Sequence, residues 1–135
     1  MNGIATTSLP YARTAICAAA AVLVATLTGC AMPGSAAPAR VSNGTLVDAR
    51  GMSLYTYSRD SAAKSVCVAV CARSWRPLVA TASDRAAGDY TIITRDDGAK
   101  QWAYKGKPLY LWIKDAKPGD RTGDGFNNAW RLVRS

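Results

Sequence analysis

Two stretches decide the fold: "LYTYSRD", from Leu54 to Asp60, and "LYLWIKD", from Leu109 to Asp115. They lie 55 positions apart and share the order Tyr, any residue, aromatic, two residues, Asp. A Gly stands three places before each Leu, Gly51 and Gly106. At the same offset Trp75 and Trp130 follow, each with an Arg behind it, Arg76 and Arg131. Gly, Leu, Tyr, Asp, Trp and Arg recurring in one order mark an internal duplication, with copies at 51–79 and 106–134.

Each copy opens like a β-hairpin. "TLVDARGMSLYTYS" sets two β-prone runs around Arg-Gly, and "QWAYKGKPLYLWIK" does so around Lys-Gly-Lys-Pro. Strand alternation puts Tyr55 and Tyr57 on one face, and likewise Tyr110 and Trp112. Leu109, Leu111 and Ile113 take the opposite face, so the second motif strand is apolar on both sides and belongs in the middle of a sheet. Between the copies, "DYTIITRDDGAKQWAY" predicts a further hairpin through Asp97-Gly98. The expected fold is all-β, a small sandwich or closed sheet built from two duplicated hairpin units. Aromatics at strand spacing make core and cross-strand contacts, or else a stacking platform for a ligand. Asp60 and Asp115 are placed to accept backbone hydrogen bonds where the strands end.

The duplicated motif, Tyr55, Tyr57 and Asp60 and then Tyr110, Trp112 and Asp115, resembles the predicted bacterial lipoproteins with a Yx(F/W/Y)xxD motif, a secreted repeat of unknown function. "SVCVAVCARSWRPL", Ser65 to Leu78, is similar to that family's segment of two Cys followed by Trp-Pro-Pro-Leu, with Arg76 where the first Pro stands. The resemblance covers roughly 44–134 and implies an envelope address and a duplicated domain; it implies no activity.

The N-terminus supports that address. Arg13 precedes an apolar run, Thr14 to Leu27, too short to span a bilayer comfortably, and the run closes in "LTGC". This resembles the lipobox of bacterial lipoproteins, in which the Cys, here Cys30, is acylated and becomes the new N-terminus. Residues 1–29 are thus expected to be a signal peptide. Residues 30–43, small and rich in Pro and Gly, are the expected tether, and 44–135 the single folded domain. Multiple acylation at Cys30 implies stable attachment to a membrane. Ala31 rather than Asp favours the outer membrane where the cell has one.

The chain carries 17 Lys and Arg against 9 acids, a formal charge of +8, and losing Arg13 with the leader lowers it by one. All the acids are Asp, and there is no His. A positive balance favours polyanions, here anionic envelope polymers, or else serves solubility; no nucleic acid is expected. Without His, neither a Ser-His-Asp nor a Cys-His nucleophile can be assembled, and nucleotide-binding glycine motifs are absent. Two Asp can in principle form a glycosidase pair, but nothing marks a cleft. No enzyme, no cofactor and no resident metal are expected.

Cys67 and Cys71 are the thiols of the domain. A disulfide is the simplest outcome in an oxidising envelope, with thiol exchange or Cu(I) binding as alternatives. Residues four apart in a strand lie about 13 Å from each other, whereas a disulfide needs Cα atoms within about 7 Å. A bridge therefore requires a helical turn or tight bend in "VCVAVC". The second copy has Thr122 and Phe126 at those places and can form none. The loop "DAKPGDRTGDGFNN" carries Asp115, Asp120 and Asp124, either as a solvated turn or as oxygen donors for Ca²⁺. The expectation for function is a non-catalytic envelope lipoprotein whose basic β-domain binds a polyanion or a protein; the alternative is a thiol redox or Cu(I)-handling module.

Overall fold

The computed structural model describes residues 36–135. The expected signal peptide and Cys30 lie outside the described residues. Ordered structure begins before the expected boundary at Gly44. β1 (Arg40–Ser42) pairs antiparallel with β2 (Thr45–Val47), and Ala39 is already buried. The folded part therefore begins before residue 44. The reason is the Asn43-Gly44 pair, which turns the chain back so that "RVS" gains a partner strand despite its Pro- and Ala-rich approach.

Three sheets follow. β3 (Tyr55–Tyr57), β4 (Trp75–Pro77), β8 (Tyr110–Trp112) and β9 (Trp130–Leu132) form one of four strands in the order β4-β8-β3-β9. β5 (Tyr90–Thr94), β6 (Lys100–Tyr104) and β7 (Lys107–Pro108) form a second, and β1 with β2 a third. The hairpin through Asp97-Gly98 joins β5 to β6 as expected, with the amide of Gly98 donating to the Arg95 carbonyl. The fold is all-β apart from α1 (Val70–Ser74) and a 3-10 turn at Phe126–Asn128.

The two copies do not pack as separate halves. They interleave. β3 of the first copy lies beside β8 of the second, registered at Tyr55 and Tyr110. Each copy's Trp strand then crosses to the other copy: Trp75 pairs with Trp112, and Trp130 with Tyr57. Adding 55 to each β4 position and subtracting 55 from its β8 partner reproduces the β9–β3 register, so the sheet has an internal two-fold relation. β8 is central, as its apolar faces predict.

Alternation along the motif strands feeds two cores. Tyr55, Tyr110, Trp112, Trp75, Trp130, Leu132 and Cys67 form an aromatic cluster. Leu54 and Leu109 join Leu46, Ala80 and Trp102 in a second, with Leu111 at its edge. Ile113 differs from expectation: it is 48% exposed, because β8 ends at Trp112 and the next amide donates to Ser74 at the sheet margin.

Candidate functional site

The motif is read between copies, not within one. Tyr55 donates its hydroxyl to Asp115 at 2.7 Å, and Tyr110 donates to Asp60 at 2.6 Å. The remaining oxygen of each carboxylate accepts a backbone amide, from Val66 to Asp60 at 2.8 Å and from Thr122 to Asp115 at 2.9 Å. Burial, and then the hydrogen bond to the aspartate, raise both tyrosine pKa values well above the ordinary range, so both hydroxyls stay donors. Burial also raises Asp60, opposed by the hydrogen bonds from Tyr110 and Val66 and by the charge of Arg95.

Above these pairs runs a stack of four rings. Tyr57 lies on Trp130 (4.4 Å between centroids), Trp130 on Trp75 (3.8 Å), and Trp75 on Trp112 (4.0 Å). Tyr55 meets Trp75 edge-on and Tyr110 meets Trp130 edge-on. Gly123 presses against this stack: a Cβ there would sit 2.6 Å from the Trp75 ring. Tyr55, Trp75, Tyr110, Trp112 and Trp130 are thus core residues, with Tyr57 half-buried at one end. A ligand-stacking platform would require these faces to be open, and they are covered.

Cys67 and Cys71 form a disulfide with Cα atoms 5.2 Å apart, closed by the tight bend at Ala69 (φ 49°) that leads into α1, with the Cys71 amide donating to the Val68 carbonyl. Cys67 is fully buried, and Cys71 packs against the aromatic cluster. In the second copy Phe126 occupies the place of Cys71 and tilts against Trp112 at 4.9 Å.

Sequence reasoning missed Arg95. Its guanidinium is buried and donates to Ser65 Oγ (2.8 Å), Gln101 Oε1 (2.8 Å), the Cys67 carbonyl (2.7 Å) and Asp97 (3.1 Å). Ser65 Oγ lies 2.6 Å from the Tyr110 hydroxyl, so a line of donors runs from Arg95 through Ser65 and Tyr110 to Asp60. Arg95 follows the end of β5 at Thr94, beside the Asp97-Gly98 turn, where local pattern does not set it apart from a solvated side chain.

The loop carboxylates serve the loop. Asp120 accepts the amides of Ala116 and Lys117 and pairs with the Lys117 ammonium; Asp124 accepts the Leu132 amide and pairs with Arg134. The Lys117 side chain, and then the two amides, hold Asp120 below the usual carboxylate range. Among the described residues no three His, Cys, Asp or Glu converge as metal ligands. Asp120 holds the loop's own turn, Asp124 ties it to β9, and Asp115 ties it to Tyr55 in the core.

Clefts open at the sheet margins. One of about 290 Å³ is lined by Arg50, Met52, Ser53, Arg76, Trp112 and Asp115, among others. Two adjoining ones on the opposite copy share Thr56, Lys107 and Arg131, and one of them adds Tyr104, Lys105 and Arg134.

A family model described as a secreted repeat of unknown function matches residues 39–79 and 91–134. The chain belongs to that family. Each matched segment of the secreted repeat holds one motif strand and one Trp strand, the two pieces that the interleaved sheet exchanges. The first match begins at Ala39, where burial begins, rather than at the expected 44. Comparison with curated proteins and with solved structures returned no match.

Proposed function

We propose that this secreted repeat is a non-catalytic module of the cell envelope, attached by a lipid on Cys30, that binds an anionic envelope polymer or an envelope protein. The observation that supports it is the state of its surface cations. Arg76, Lys105, Lys107 and Arg131 are exposed and stand in no ion pair among the described residues, while the tyrosines and aspartates of the motif are engaged in the core. Unpaired cations keep their full attraction for a polyanion. With Ala31 after the lipidated Cys, the outer membrane is the proposed site in a cell that has one. The test is retention of the chain from Ala31 onward on immobilised lipopolysaccharide or wall polymer. Retention lost between about 50 and 200 mM salt is expected; no salt-sensitive retention on either would refute the polyanion version.

A thiol-exchange or Cu(I) role stands second, favoured by the Arg95 guanidinium on the Cys67 carbonyl and disfavoured by the burial of Cys67. Replacing Cys67 and Cys71 by Ser discriminates. A staple predicts a folded domain weaker by about 2 kcal/mol, from the small loop closed, with polymer retention intact. Loss of function in a domain of unchanged stability would instead make the pair the working site.

A further inference from the structure

The duplication supplies an internal control on where an anion would bind. Positions related by the 55-residue offset correspond in the repeat yet differ in charge. In the second copy they are Lys105, Lys107, Arg131 and Arg134; in the first they are Arg50, Met52, Arg76 and Val79. Of these pairs, Arg76 and Arg131 hold equivalent strand places, in β4 and β9. Arg50 is held by Asp48 at 2.9 Å, so at these four positions the first copy offers one cation outside any ion pair among the described residues and the second offers three, plus Arg134 paired to Asp124. These four cations line one concave cleft with Thr56 and Tyr104.

Two details show that this cleft is arranged. Arg131 donates to the Trp130 carbonyl at 3.0 Å and to Asn128 at 2.8 Å, which fixes its guanidinium before any ligand arrives. Lys105 sits at φ 48° ahead of Gly106, in a left-handed turn position for which the β1–β2 hairpin uses Asn43. A Lys there costs backbone strain that Asn or Gly would avoid, and it places two lysines on either side of one Gly.

We propose that this cleft, and not its counterpart in the first copy, binds consecutive phosphate groups of a linear phosphodiester or polyphosphate chain. The inference rests on the polyanion reading above. Guanidinium and ammonium groups set along a concave wall suit a single strand of phosphates, each neutralised in turn. A bilayer surface would need a convex, protruding patch.

The test uses the chain from Ala31 onward and medium-length inorganic polyphosphate, with affinity measured against salt. Lys107→Met with Arg134→Val, the residues of the first copy, should weaken binding at least tenfold and lower the log–log salt slope by roughly 1.4, about 0.7 per lost contact. Arg73→Gln with Arg85→Gln removes the same charge elsewhere and should leave the slope within about 0.5. Met52→Lys with Val79→Arg should add a second, weaker site. An equal loss in the distant pair would mean diffuse attraction, overturning the cleft while leaving the polyanion reading intact. Absence of salt-sensitive binding to polyphosphate by the unaltered chain would overturn this proposal, and absence on lipopolysaccharide and wall polymer as well would defeat the polyanion reading with it. Binding to phosphatidylglycerol vesicles without binding to polyphosphate would also overturn the proposal.

Discussion

Trp75 and Trp130 lie face to face, 3.8 Å between ring centroids and 4° between planes, although each belongs to a different copy of the repeat. The pair sits at the centre of the four-ring stack, so neither copy owns the core. Trp75→Ala removes a buried indole that touches Tyr55, Trp112, Phe126 and Trp130. A loss of about 3–5 kcal/mol is expected in urea unfolding. The aromatic circular-dichroism signal of the coupled indoles should collapse with it. A cost below about 1 kcal/mol would contradict a shared core.

Because the Trp strands cross over, each half lacks the strand that completes it. Cutting the chain in the exposed segment between Ala86 and Ala87 gives one fragment per copy. Each should be unfolded alone, and an equimolar mixture should recover the native near-ultraviolet spectrum. A first fragment that folds without the second would show that the copies pair within themselves.

The tyrosine–aspartate bonds carry the same crossing at the level of single atoms. Tyr110→Phe takes from Asp60 a hydrogen bond to a charged group, costing about 1.5–3 kcal/mol. In a double-mutant cycle Tyr110→Phe should couple to Asp60→Asn. It should be additive within about 0.5 kcal/mol with Asp115→Asn, its neighbour in the motif. Coupling to Asp115 instead would reverse the assignment.

The carboxylates should titrate in opposite directions from the ordinary value of about 3.9. Asp60 is raised by burial, so the folded state binds its proton more tightly than the unfolded chain does. Its contribution is most favourable below that value and declines as pH rises through the folded pKa. Asp97, held down chiefly by the Ala99 amide, and Asp120, held down chiefly by Lys117, act the other way. Their contributions are present above the unfolded value and are lost as pH falls through the lowered ones. Carbon-13 carboxyl titration should place Asp60 above 3.9 and the other two below it; an Asp60 midpoint at or under the ordinary value would break the argument.

Much of this architecture was legible in the chain. Period-two alternation put Leu109, Leu111 and Ile113 on one face and Tyr110 and Trp112 on the other, because a strand leaves side chains no third choice; Ile113 escapes burial only because β8 ends at Trp112. The four-residue spacing of Cys67 and Cys71 demanded a turn, and the bend at Ala69 ahead of α1 supplies it. Asn43-Gly44 marked a turn too, yet its effect on Arg40–Ser42 was hidden by the composition of the approach. Arg95 was hidden for another reason: a charged side chain next to a turn reads as solvated until Ser65, Gln101 and the Cys67 carbonyl converge on it from distant segments.

By itself the sequence determined that the domain is duplicated, that it is built of strands, and which side chains share a face; these depend on local periodicity and on identity between the copies. It did not determine which Trp strand joins which motif strand. Duplicated strands offer nearly the same pairing residues to either partner, so local energies cannot separate pairing within a copy from pairing across copies. Only the tertiary structure decides that. It closes Trp75 onto Trp130, carries Tyr55 to Asp115 and Tyr110 to Asp60, and gathers Lys105, Lys107, Arg131 and Arg134 into one cleft. Contacts between residues tens of positions apart exist only once the chain has folded.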